Sequence, residues 1–187
     1  MITLHEPAHL TSPAAAVRVS YLTGEQADCL LRGTETDWLG PASDDFDDFV
    51  AKRCGVSTRW GVPSTVLWYI SGEHYLGTLV IRHELTPQLT DVGGNVGYHV
   101  VAPWRRQGHA TRMLAAGLVE CRRLGLDRVL LTCDPENVAE PVNPVGSCSG
   151  LVHWIGPVSS SGRLIQAASG RFGGTGGLRT NRCGVAM

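Results

Sequence analysis

Hydrophobic and polar positions along the first 140 residues follow two recognisable periods, and the last 47 follow neither. In "STVLWYIS" (64–71) and "YLGTLVIRHE" (75–84), β-branched and aromatic residues crowd two short runs around Gly72-Glu73-His74, which predicts a hairpin. "GNVGYHVV" (94–101) reads as a third strand, stopped by Pro103. From Gly108 to Leu124 the period becomes helical: Ala110, Met113, Leu114, Gly117, Leu118 and Cys121 fall on one stripe, and Gly125 is placed to end it. "RVLLTC" (128–133) is almost continuously apolar, as in a strand covered on both faces. Strand, helix and strand at this spacing predict a right-handed crossover with parallel neighbours. Upstream, "SDDFDDFVAKRC" predicts a short helix capped by Ser43, with Asp44 and Asp45 at its positive end and Phe46, Phe49 and Val50 buried.

Charge divides the chain in the same place. Residues 1–140 carry all 17 acidic and 12 of the 16 basic residues, whereas 141–187 have four arginines, no Asp, Glu or Lys, and ten glycines. The overall net charge of -1 gives no reason to expect nucleic acid or an anionic membrane as partner. No apolar run approaches the roughly 20 residues of a membrane span, and no secretory leader is evident, so a cytoplasmic protein is expected. The six cysteines form no CxxC pair, so neither zinc nor any other metal is expected, and a reduced set with several core thiols is.

The candidate chemistry lies at the strand-to-helix junction "APWRRQGHATRML" (102–114), which sets three arginines around one glycine. A helix N-terminus presents unpaired N–H groups and about half a positive charge. Gly108 lets a ligand approach the main chain, Ala110 keeps the next turn open, and Arg105 and Arg106 add donors suited to phosphate oxygens. Together these predict a pyrophosphate cradle. The chain has neither a G-x-x-x-x-G-K-[ST] loop nor a G-x-G-x-x-G followed by an acidic residue, which disfavours other nucleotide binders.

Here the sequence resembles the GNAT family of N-acetyltransferases, most clearly over 64–140. Arg105-Arg106-Gln107-Gly108-His109-Ala110 fit that family's [QR]-x-x-G-x-[GA] coenzyme motif. "YLGTLVIRHEL" resembles the strand pair before it, and "LGLDRVLLTCDPENVA" the strand and Asn-containing turn after it. The resemblance implies an α/β fold with a central mixed sheet flanked by helices. It also implies acetyl transfer from acetyl-CoA to an unidentified amine by direct attack on the thioester.

In that family the coenzyme strand is splayed from its neighbour. Backbone groups of His99, Val100 and Val101 would pair with the pantetheine, and the N–H groups of Gln107, Gly108, His109 and Ala110 would hold the pyrophosphate. Asn137 would contact the coenzyme from the far side. Candidate general bases are Glu84 and His83 at the end of "IRHE", with His99 as another, although a charged strand end making local bonds explains the first two equally well.

The implied pattern breaks off near residue 141. Pro141 and Pro144 fall inside the helix that the family starts after the Asn turn, and an interior proline costs about 3 kcal/mol. The organisation expected is therefore a core over 1–140 and an atypical segment over 141–187, which could leave apolar sheet edges open to a homodimer partner. Two accounts fit the segment. One is a change of reading frame in a GC-rich gene; the other is divergence, with "GLVHWIGPVS" and "GRLIQAA" still supplying two short strands. On the first account, translating the other two frames beyond codon 140 recovers the family's helix and strands in one of them; if neither frame does, divergence is the explanation.

Overall fold

The computed structural model describes residues 4–132 together with the two strands Val152–Ile155 and Ala167–Gly170. In chain order these residues form β1 (His9–Thr11), α1 (Arg18–Arg32), α2 (Gly40–Asp44), α3 (Phe46–Ala51), β2 (Val56–Arg59), β3 (Val62–Ser71) and β4 (His74–Arg82). They continue with α4 (Pro87–Asp91), β5 (Val96–Val100), α5 (His109–Arg123), β6 (Val129–Thr132), β7 (Val152–Ile155) and β8 (Ala167–Gly170). One sheet runs β1-β3-β4-β5, with β2 also paired to β3; a second runs β6-β7-β8. Every ladder in both is antiparallel. Among the described residues no helix is long and apolar enough to cross a membrane.

The β3–β4 hairpin forms where the pattern places it, turning through Gly72 and Glu73 between the paired residues Ser71 and His74. Gly72 has φ 54, a value that favours glycine. Side chains alternate across a strand, so Trp68 and Leu67 lie on opposite faces of the sheet. On the Trp68 face sits α1, whose Tyr21 stacks on the indole at 4.7 Å, with Phe46, Phe49 and Tyr75 closing an aromatic cluster. On the Leu67 face sits α5, which buries Met113, Leu114, Gly117, Leu118 and Cys121, as its stripe predicts. Burial pushes the Cys121 thiol up to about 12, so this side chain acts as a small core hydrophobe. Cys29 is likewise buried, and Cys54 is exposed.

Two expectations are corrected. Ser43 does not cap the acidic helix: it lies in α2, and Asp45 caps α3 by accepting from the Asp48 N–H at 2.9 Å. The extended φ/ψ of Asp45 separates the two helices and frees its carboxylate for that bond. Nor do β5 and β6 form a parallel ladder across the α5 crossover; they belong to separate sheets. Of the two strands expected under divergence, β7 lies inside "GLVHWIGPVS"; β8 shares only Ala167 and Ala168 with "GRLIQAA", whose other residues lie outside the described ones. Pro141 and Pro144 lie outside the described residues.

α5 approaches the sheet closely because position 117 carries no side chain: a Cβ there would lie 2.3 Å from Leu79 Cδ1. Gly117→Ala is expected to lower stability by about 1–3 kcal/mol despite the better helix propensity of alanine, because overpacking outweighs it. A urea midpoint equal to or above that of the parent chain would show that the helix can shift outward at no cost.

Candidate functional site

The boundary between the two sheets begins at a pinch. The Asn95 N–H donates to Leu130 O at 2.8 Å, and the Leu130 N–H donates to Asn95 Oδ1 at 2.9 Å. A Cβ on Gly94 would lie 2.3 Å from Leu130 O, and its φ of 58 favours glycine in any case. Beyond this pinch β5 and β6 part, leaving one edge of β5 turned from β4. The ladder bonds identify that edge. Val101 N–H donates to Leu76 O at 3.0 Å and Arg82 N–H to Asn95 O at 2.7 Å, so main-chain groups of His99 and Val101 face β4. This corrects the expectation for the pantetheine: of His99, Val100 and Val101, His99 and the Val101 N–H are turned to β4, and only Val100, whose carbonyl accepts from Arg105 Nε at 2.8 Å, lies on the other edge, with Tyr98.

The gap leads to the N-terminus of α5. The first intrahelical bond runs from Arg112 N–H to Gly108 O at 3.3 Å, so the N–H groups of His109, Ala110 and Thr111 have no acceptor within the helix. Gly108 occupies the N-cap with φ 74, and no side chain caps it. Arg106 is also left-handed, with φ 62. These two positive φ values turn the chain sharply from the 3-10 turn Ala102–Trp104 into α5 and leave the helix end open. Arg112 folds back over that end, donating to Gln107 O at 2.8 Å and lying 3.3 Å from His109 Nδ1. His109 is buried between Tyr69 and Trp104, and its imidazole is held below its ordinary value by burial and by the Arg112 charge.

The structure thus brings Arg106, Gln107, Gly108, His109 and Ala110 together at one helix end, with Val100 and Val101 leading into it. Arg105 is directed elsewhere. Its Nε donates to Val100 O at 2.8 Å, and its NH2 group bonds the buried Asp28, which Arg32 also holds at 2.8 Å. Arg105 therefore ties the loop to α1 and does not extend into the cradle. Arg112 takes the cationic position that a motif reading gives to Arg105; its spacing of four residues from Gly108 carries that signal, one helical turn into α5.

His83 and Glu84 stand apart from this end. The His83 N–H bonds Pro63 O and its Nε2 lies 2.9 Å from Thr65 Oγ1, beyond the last residue of β4, while Glu84 is exposed. His83 lies seven positions beyond Leu76, the partner of Val101, or roughly 23 Å along the strand direction. Asn137 lies outside the described residues.

Comparison with known proteins adds to this geometry. The sequence model described as "Acetyltransferase (GNAT) family" matches residues 30–140. The chain belongs to that family. No curated protein and no solved structure matches the chain. The GNAT match spans α2 to β6 and takes in both the pinch and the helix end, and membership places the chain among acyltransferases. Among the described residues no group of three metal-ligating side chains occurs.

The GNAT core holds one further polar cluster, which the spacing of the sequence gave no means to find. Glu25 of α1, buried at 4% exposure, accepts from Tyr75 Oη at 2.6 Å and from His99 Nε2 at 3.0 Å. Tyr75 Oη also meets Thr78 Oγ1 at 2.6 Å. Burial alone would raise the Glu25 carboxyl, but bonding and charge from His99, then Tyr75 and Arg32, outweigh it and hold the group below its ordinary value. The Tyr75 phenol is pushed well above its ordinary value by burial and by Glu25, so it stays a neutral donor.

A carboxyl depressed by folding stabilises the native state above its unfolded value, and that contribution is lost as pH falls through the folded value. The urea midpoint of the parent chain should therefore drop on acidification below about pH 4.3, the ordinary glutamate range, more steeply than that of Glu25→Gln. Parallel curves would show that Glu25 is not ionised in the fold.

Proposed function

We propose that this chain transfers an acetyl group from acetyl-CoA to a primary amine of a small molecule or protein. One observation carries the reading: an open helix N-terminus, capped by a left-handed glycine and flanked by the Arg112 guanidinium, stands at the mouth of the gap between β5 and β6. The residues present fit a pyrophosphate. Gly108 has no Cβ to obstruct the approach, three N–H groups point along the helix axis, and the dipole and Arg112 supply positive charge. The edge of β5 at Tyr98 and Val100 runs toward this cradle and would border a pantetheine arm, with the Val100 carbonyl already held by Arg105.

Acetyl-CoA supplies an activated thioester, so transfer to an amine needs no nucleophile from the protein. What the chain provides is position, donors for the charge that develops on the carbonyl oxygen, and a route for the amine proton. Orientation comes from the cradle at one end and the β5 edge at the other. Arg105 acts indirectly, by fixing Val100 O and Asp28 and so holding the loop against α1. A second reading, a coenzyme binder without turnover, is favoured by the composition of residues 141–187, which follow the last residue matched to the family.

Titration calorimetry of the full-length chain with acetyl-CoA should show saturable binding. Gly108→Glu should abolish it, since a carboxylate would meet the phosphates and any side chain strains φ 74. Arg112→Ala should weaken binding about tenfold, in keeping with the loss of one charged hydrogen bond. A folded Gly108→Glu protein that still binds would contradict the cradle. Release of free CoA on adding amines separates the transferase from the silent binder.

A further inference from the structure

We propose that His99, oriented by Glu25, takes the proton from the amine. The inference rests on the transferase reading above and assigns the proton to the imidazole that a buried carboxylate orients on β5, the strand along which that reading lays the coenzyme arm. His99 lies on β5, the strand that borders the gap, two residues before Val101. Its side chain turns to the α1 face, where Nε2 meets Glu25 Oε1 at 3.0 Å while the side chain keeps 36% exposure. An ionised carboxylate can only accept, so Nε2 carries the proton and Nδ1 is left with a lone pair. Among the described residues Nδ1 has no hydrogen-bond partner.

The surroundings keep that arrangement in place. From α1, Glu25 faces the imidazole, while the Asp28 charge is taken up by Arg32 and Arg105. From β4, Thr78 stands directly across the ladder from His99, and Tyr75 bonds the same Glu25 oxygen. A buried carboxylate holding a partly exposed imidazole by one nitrogen is the arrangement of a general base with its positioning residue.

The step balances without further reactants. Nδ1 takes one proton from the ammonium and passes it to water. The free amine nitrogen then bonds the acetyl carbon, the C–S bond breaks with its electron pair on sulfur, and the proton that the nitrogen sheds on becoming an amide goes to the thiolate; a nucleophile that arrives as the free base skips the first step. Glu25 bears no part of the transfer and acts through His99.

The test measures free CoA release by the full-length chain across pH, with acetyl-CoA and either phenethylamine or hydroxylamine. Phenethylamine is protonated at neutral pH and must lose a proton, whereas hydroxylamine is already the free base. His99→Gln retains an amide donor for Glu25, so the cluster stays satisfied. It should lower kcat with phenethylamine by about 10²–10⁴-fold and erase the acid limb of its pH profile. Hydroxylamine turnover and acetyl-CoA affinity should change little. Glu25→Gln should show a smaller loss of the same kind, in kcat and not in the KM for acetyl-CoA. A His99→Gln protein with the parent's profile would overturn the proposal and leave the transferase reading standing. A parent chain that binds acetyl-CoA yet releases no CoA with either nucleophile would overturn both.

Discussion

The rest of the structure depends on one close approach, the main chain of Gly94 against Leu130 O. No residue with a Cβ fits there, since 2.3 Å is far inside contact distance and the neighbour is backbone. With that approach made, Asn95 completes a reciprocal pair of bonds to Leu130, and the start of β5 is fixed to β6. The strands then part, because nothing beyond Asn95 pairs them in a ladder. A gap beside a sheet edge is ordinarily a liability, since unpaired main-chain groups invite other strands. Here β5 leads on toward a helix end that lacks a side-chain cap, which is where the proposed coenzyme would place its phosphates.

Close packing elsewhere fixes the elements around β5. Gly77 lets β4 approach β5 where a Cβ would lie 2.2 Å from His99 O, Gly117 seats α5 on Leu79, and Gly24 seats α1 on Val101. These contacts fix α1 and α5 on opposite faces of the same two strands. The result places Glu25 against His99 on the α1 face and seats α5 on the other. On the proposals made above, coenzyme binding and proton handling would fall to different layers joined through β5. Arg105 joins them again by bonding Val100 O and Asp28 at once.

Much of this was legible in the sequence and some of it was not. The hairpin, the α5 stripe and the glycine at its start were readable because each depends on local period or on one residue's φ. The acyltransferase ancestry was readable because Arg105 to Ala110 preserve a local spacing. What Arg105 does was not readable: a motif position gives a residue's place in the chain, and the buried Asp28, 77 residues away, decides where the guanidinium goes. The same limit applies to Glu25 and His99, which are 74 residues apart and meet only once α1 is seated on the sheet. The parallel ladder failed as an expectation for a related reason. Crossover topology sets which strands become neighbours, and the Gly94 pinch, a tertiary contact, decides whether they pair.

The central claim is that an acyl coenzyme lies with its phosphates on the α5 N-terminus and its arm along β5. Amide hydrogen exchange of the full-length chain, with and without CoA, tests it most directly. The account predicts slowed exchange at His109, Ala110 and Thr111 and along the gap edge of β5, with the far end of β4 near His83 unchanged. Protection confined to other elements, or none at saturating CoA, would contradict it.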